Sequence, residues 1–144
     1  MPELRFFVPG VPAPQGSKIY GMTKAGRPYG YEQSKGLPVW RDTVTAAARA
    51  MMRETPEWPA KFDGPVGLEI VFYFPELKTS RYWKTTAPDL DKLVRAIGDA
   101  LTKAGVFKDD ARIVRLETDK VHGPVTGATI RVRTIQPSEK ERNA

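Results

Sequence analysis

The chain has 144 residues, 40% of them hydrophobic, enough for one domain with a modest core. Lys and Arg number 23 against 17 acids, and the net charge of +6 favours a polyanionic partner, because neutralising phosphates releases counterions. The absence of cysteine excludes disulfides, thiolate metal sites and cysteine nucleophiles; with no membrane-length apolar run and no signal-like start, a cytoplasmic protein without a membrane partner is expected.

Leu4 to Val8 is short and apolar, a first strand. Pro9-Gly10-Val11-Pro12-Ala13-Pro14-Gln15-Gly16 follows, and its prolines exclude helix and central strand. Gly16-Ser17-Lys18 has the Lys and hydroxyl residue in the reverse of phosphate-loop order, so that motif is rejected, and with it a nucleotide cofactor. Ser17 to Glu32, rich in Tyr and Gly with a turn at Lys24-Ala25-Gly26-Arg27, reads as an irregular loop or hairpin. A helix is expected from Pro38, with Trp40, Val44, Ala47, Ala48 and Met51 on one face and Pro56 and Pro59 beyond its end. Val66 to Phe74 reads as a strand and Glu76 to Ala87 as a polar loop.

A second helix is predicted from the apolar face of Leu93, Val94, Ile97, Ala100, Leu101 and Ala104, with Gly105 ending it left-handed and Val106 folding back. Ile113 to Val121 and Ala128 to Ile135 read as strands joined around Gly123-Pro124, and His122 as a turn residue. The expected fold class is α+β, one domain over residues 1–136, with two main helices on a mixed sheet, and residues 137–144 a charged flexible tail.

The block from Pro88 to Ile113 carries the chemistry. It has an Asp89-x-Asp91 pair where the second helix starts and Asp109-Asp110 just past its end. The plain reading makes Asp89 or Asp91 a helix cap and Asp109 and Asp110 polar turn residues, contributing on the order of 1 kcal/mol at a cap. A second plain reading makes Asp91, Arg95, Asp99 and Lys103 a solvated stripe of i,i+4 ion pairs. The functional reading makes the carboxylates oxygen ligands for Mg²⁺, with Lys84, Lys92 and Arg95 beside them to neutralise a phosphate. Geometry conditions it, since the helix from Asp91 to Ala104 rises about 20 Å at ~1.5 Å per residue and separates the two acidic pairs. The connection from Ala104 to Asp110, at most about 20 Å at ~3.3 Å per residue, makes convergence within one chain possible but tight, and a site shared across a twofold dimer would remove the mismatch.

At these residues the sequence resembles the RusA family of Holliday-junction resolvases, known from phages and prophages. The resemblance runs through Pro88-Asp89-Leu90-Asp91, Asp99-Ala100-Leu101, Gly105-Val106-Phe107, Asp109-Asp110 and Ile113, and more weakly through Val8-Pro9-Gly10-x-Pro12-x-Pro14-x-Gly16. It implies an intertwined homodimeric, Mg²⁺-dependent endodeoxyribonuclease, Mn²⁺ substituting, that cuts four-way junctions and other branched DNA symmetrically in recombination and repair inside a bacterial host. Carried over, the family's catalytic and metal-binding aspartates fall on Asp89, Asp91 and Asp110. Its catalytic lysine falls on Arg95, which keeps the charge but not the compact ammonium. The family's usual Asn is Lys92 here, and Lys120 matches a common family lysine. When bound, the ion would polarise a phosphodiester oxygen and acidify a water, with Arg95 or Lys92 meeting the charge developing at phosphorus.

Lys18, Arg27, Arg81, Lys84, Lys92 and Lys120 are the expected DNA contacts, and Tyr82 and Trp83 either stack on an unpaired base or pack in the core. A restriction-type site would need an acid where Thr118 stands, and a sugar-nucleotide transferase would need a nucleotide-binding domain this length does not supply. The competing reading is a non-catalytic basic architectural DNA-binding protein whose acids are only caps.

Overall fold

Apolar residues alternate along three strands, and hydrogen-bond register stacks them into continuous rows. The computed structural model describes residues 2–16, 18–32, 34–79 and 81–144. Strand β1 (Glu3–Pro9) buries Leu4, Phe6 and Val8, β4 (Val66–Pro75) buries Leu68, Ile70 and Phe72, and β6 (Gly127–Thr134) buries Ala128, Ile130 and Val132. Antiparallel pairing sets Leu4 beside Val132 beside Leu68, Phe6 beside Ile130 beside Ile70, and Val8 beside Ala128 beside Phe72. Side chains in such cross-strand rows share one face, and here that face is the core.

Strand β5 (Ile113–Gly123) completes the sheet in the order β1-β6-β4-β5 and runs parallel to β4. It runs past the expected Val121 and takes in His122, which is a strand residue rather than a turn residue. Register carries the rows onto β5 at Leu116, Thr118 and Lys120. A separate hairpin pairs β2 (Lys18–Met22) with β3 (Pro28–Glu32).

Helix α1 (Leu37–Glu54) starts one residue before Pro38 and turns Leu37, Trp40, Val44, Thr45 and Ala48 inward. Helix α2 (Leu90–Ala104) buries Leu93, Ala96, Ile97, Gly98, Ala100 and Leu101 and ends at Gly105, φ +83°, where Val106 N donates to Leu101 O at 3.0 Å. α2 links parallel neighbours β4 and β5, the crossover that parallel pairing requires. The helices meet through Thr45 Oγ1, which donates to Ala100 O at 3.3 Å in the interior. No helix among the described residues is long and apolar enough to cross a membrane.

The tail departs from expectation by forming one helical turn, α3 (Glu139–Arg142). Ser138 and Glu141 close a reciprocal capping box, and Glu141 pairs with Arg115 at 2.9 Å.

Candidate active site

Three segments converge on α2, fixed by contacts that engage Asp63, Asp99 and Asp109 but, among the described residues, not the carboxylates of Asp91 and Asp110. At the helix start, residues 82–84 lie against the end of β5: His122 N donates to Tyr82 O at 2.8 Å and Lys84 N to Lys120 O at 3.0 Å. Lys120 Nζ donates to both Thr86 O and Pro88 O at 2.7 Å, clamping the loop that enters the helix through a cis Ala87–Pro88 bond. Asp89 then occupies the cap position, yet its carboxylate makes no capping hydrogen bond. Its cationic neighbour is Lys92, 3.6 Å away. Asp91 is exposed and its carboxylate has, among the described residues, no hydrogen bond or ion pair. Asp89 is thus a cap by position but not by a side-chain hydrogen bond, and Asp91 stands as an acidic residue of the first turn.

Along the middle of α2 lies the Pro/Gly loop. Gln15 N donates to Lys92 O at 3.0 Å, its Nε2 donates to Asp99, and its Oε1 accepts from Arg41 Nη1 at 3.0 Å. Gly16, φ +101°, lies so close to Arg95 that a Cβ there would fall 2.5 Å from Nη1. Lys103 turns to Asp42, 3.9 Å away. The stripe from Asp91 to Lys103 is thus no ladder of mutual ion pairs, because other elements claim Arg95, Asp99 and Lys103.

Beyond the helix, Lys61 N donates to Gly105 O at 2.7 Å and Lys108 N to Phe62 O at 2.9 Å, folding the chain back. Asp63 accepts from Arg112 Nε at 2.8 Å and Nη2 at 2.7 Å, with Lys108 3.9 Å away. The Arg112 hydrogen bond and then Lys108 hold the Asp63 carboxyl below its ordinary range. Asp109 caps the short 3₁₀ turn Asp110–Arg112 by accepting from Ala111 N at 3.0 Å, so for Asp109 the turn reading is right. Asp110 is exposed, and a Cβ built on Gly98 would lie 3.5 Å from its Cβ. Gly98 follows Asp91 by seven residues, two helical turns, so Asp91 and Asp110 share one stripe about 10 Å apart along the axis. No three Asp, Glu or His side chains among the described residues stand close enough to hold one metal ion.

The cations divide by role. Burial foremost, and then nearby Lys84, pull the Lys120 ammonium below its ordinary pKa, while Asp89 opposes them. With both of these hydrogen bonds on the loop that leads into α2, Lys120 braces the segment just before Asp89. Lys84 Nζ donates to Thr86 Oγ1 at 2.9 Å and sits 5.1 Å over the Phe74 ring. Arg27 and Arg81 are exposed, whereas Lys92 lies beside Asp89. Lys18 opens β2, but its side chain lies outside the described residues. Gln15 and the Asp63–Arg112 brace had no sequence signal, since each joins segments far apart in the chain.

A family model described as Endodeoxyribonuclease RusA matches residues 9–133. The chain is also similar to the crossover junction endodeoxyribonuclease rusA of Lactococcus phage r1t, 34% identical over 74 residues, 50% of this chain and 56% of that protein. The match thus spans little more than half the length of that relative.

Proposed function

The chain belongs to the RusA family of endodeoxyribonucleases, and from that premise we propose that it is a divalent-metal-dependent nuclease resolving four-way junctions and related branched DNA by paired strand cuts. The observation that carries this reading is the acidic stripe of α2. Asp91 and Asp110 engage no described cation although the molecule bears +6 and Lys84, Lys92, Arg95 and Lys120 surround the entry to the helix. Exposed carboxylates left uncompensated amid positive charge suit a hard cation held against phosphate.

Asp89, Asp91 and Asp110 would supply the oxygen donors, all hard, as Mg²⁺ or Mn²⁺ prefers. When bound, the ion would supply Lewis-acid polarisation of a phosphodiester oxygen and a more acidic water. Arg95, held against Gly16, orients the scissile phosphate and meets its developing negative charge. Lys92 holds the Asp89 carboxylate in an ion pair at 3.6 Å. Lys120 fixes the loop from which Asp89 projects.

One chain does not close this donor set, and a second copy is the proposed remedy. Residues 82–84 occupy the outer edge of β5 near its end, while among the described residues the stretch from Ile113 to Asp119 pairs only with β4. Val114 and Leu116 are 62% and 48% exposed on it. An open edge bearing apolar side chains is a template for another strand. A twofold axis at Leu116 would pair two β5 strands antiparallel, stack Leu116 on its copy and set Arg115 opposite the partner's Glu117. It would also carry Asp110 toward the partner's Asp89. The homodimer is therefore part of the proposed function.

The test is incubation with an immobile four-way junction in Mg²⁺, Mn²⁺ or EDTA, alongside Asp89→Asn and Asp110→Asn. Metal-dependent paired nicks, lost in both variants with junction binding retained, support the reading. Binding that ignores metal and never leads to cleavage would instead identify an architectural DNA-binding protein.

A further inference from the structure

Trp83 differs from the other two tryptophans. Trp40 and Trp58 are 2% and 5% exposed, whereas Trp83 is 56% exposed and Tyr82 beside it 62%. Exposed aromatic rings on a loose loop would carry no argument, but these are held. The two rings meet edge to face at 4.8 Å, and backbone bonds from Tyr82 to His122 and from Lys84 to Lys120 tie the segment to β5. Trp83 itself forms an isolated antiparallel bridge with Val121. A large apolar surface is thus kept in water by rigid backbone, an arrangement that folding alone does not reward.

The ring borders an open cavity of about 530 Å³ whose other walls include Arg81, Lys84, Thr85, Thr86 and His122. No acid lines it. Beside the indole and the apolar Leu77 stand the Arg81 and Lys84 cations, threonine hydroxyls and the His122 imidazole, groups suited to phosphate oxygens and base edges. An aromatic plate beside a cationic rim fits a flat heterocycle tethered to a phosphate, whereas an apolar protein partner would leave those cations uncompensated. Thr86, in the cavity wall, accepts from Lys120, which also clamps Pro88, the residue before Asp89.

We propose that Trp83 and this cavity form a stacking site for an unpaired nucleobase of the strand whose backbone passes over Asp89. The inference rests on the endonuclease reading and deepens it. In a continuous duplex each base is stacked and unavailable, while at a branch point one can be turned out, so the site selects branched DNA at the price of unstacking one base.

Binding without metal separates this inference from the activity on which it rests. Oligothymidylate and an abasic phosphodiester strand of equal length serve as probes, titrated in EDTA against wild type, Trp83→Phe and Trp83→Ala. Oligothymidylate is expected to quench wild-type tryptophan emission and the abasic strand to leave it unchanged. Trp83→Ala should bind oligothymidylate roughly five- to a hundredfold more weakly, with Trp83→Phe close to wild type. The ring is exposed, so the melting temperature of Trp83→Ala should match wild type and exclude a folding defect. Equal affinity of wild type and Trp83→Ala, or equal quenching by the abasic strand, would overturn the stacking site. A wild-type protein that quenches yet never cuts a junction in Mg²⁺ would overturn the nuclease reading and leave the stacking site standing.

Discussion

At Gly16 the backbone sits at φ +101° and a methyl group would come 2.5 Å from Arg95 Nη1. Alanine there faces two penalties: an unfavourable left-handed backbone, about 1–3 kcal/mol, and displacement of the guanidinium. Gly16→Ala is expected to keep junction binding within a few-fold and cut the cleavage rate by roughly tenfold or more, about 1.4 kcal/mol in the barrier; single-turnover kinetics would show it, and an unchanged rate would remove Arg95 from the chemistry. Asp109 and Asp110 separate in the same way. Asp109→Ala removes a capping acceptor and should lower stability by about 1 kcal/mol with cleavage retained. Asp110→Asn should leave the melting temperature unaltered and abolish cleavage. Equal effects of the two on either measurement would contradict the division of roles. The sequence showed which residue types could do this chemistry, but two adjacent aspartates look alike until the 3₁₀ turn gives one of them an amide.

Helix α2 could be read in advance because its burial follows a 3.6-residue period and its end is a glycine, both local facts. The expected strands and the first helix came through within a few residues for the same reason. The order β1-β6-β4-β5 was not legible, because it depends on which strands pair across the fold rather than on any one strand's pattern. The tail was read as frayed although Ser138 and Glu141 spell a capping box, a local signal outweighed by the density of charge. The element carrying Asp110 yields a prediction in pH. Asp63, Glu141 and Glu3 are all held below their ordinary values, foremost by bonds from Arg112, the Ser138 backbone and Arg131 respectively. A folded-state value below the unfolded one contributes stability at neutral pH that is lost as pH falls through the folded value. Unfolding should therefore set in on the acid side, below a pH of about 4. Asp63→Asn deletes one titrating contribution, so the variant's stability should vary less steeply with pH in that window; circular dichroism over an acid titration would reveal it. An undiminished slope would mean that the Arg112 contact is not holding the Asp110 turn.

For the molecule as a whole, the three aspartates were legible by type and their separation was foreseeable from helix rise, but no property of one chain tells which surface meets a second. The proposed surface is the outer edge of β5, where Val114 and Leu116 stay exposed although the row that Leu116 extends is buried on every other strand. Leu116→Arg would set like charges against each other on the axis, so sedimentation should find a monomer that remains folded but has lost metal-dependent cleavage. Subunit mixing is the sharper measurement. Asp89→Asn and Asp110→Asn homodimers should each be inactive. In a mixed dimer built across β5, one site receives both substitutions and the other receives neither. With equal amounts and free exchange, about half the dimers are mixed and about a quarter of all sites are intact, two-chain arithmetic that holds only if Asp110 serves the partner's Asp89. Those lone sites should nick a junction once and fail to release paired products, because the symmetric second cut has no functioning site. Nicking at that level, absent from either variant alone, is the expected result. Stable mixed dimers with no nicking at all would mean that each chain assembles its own acids, and Asp110 would then have to reach Asp91 along the stripe of its own helix.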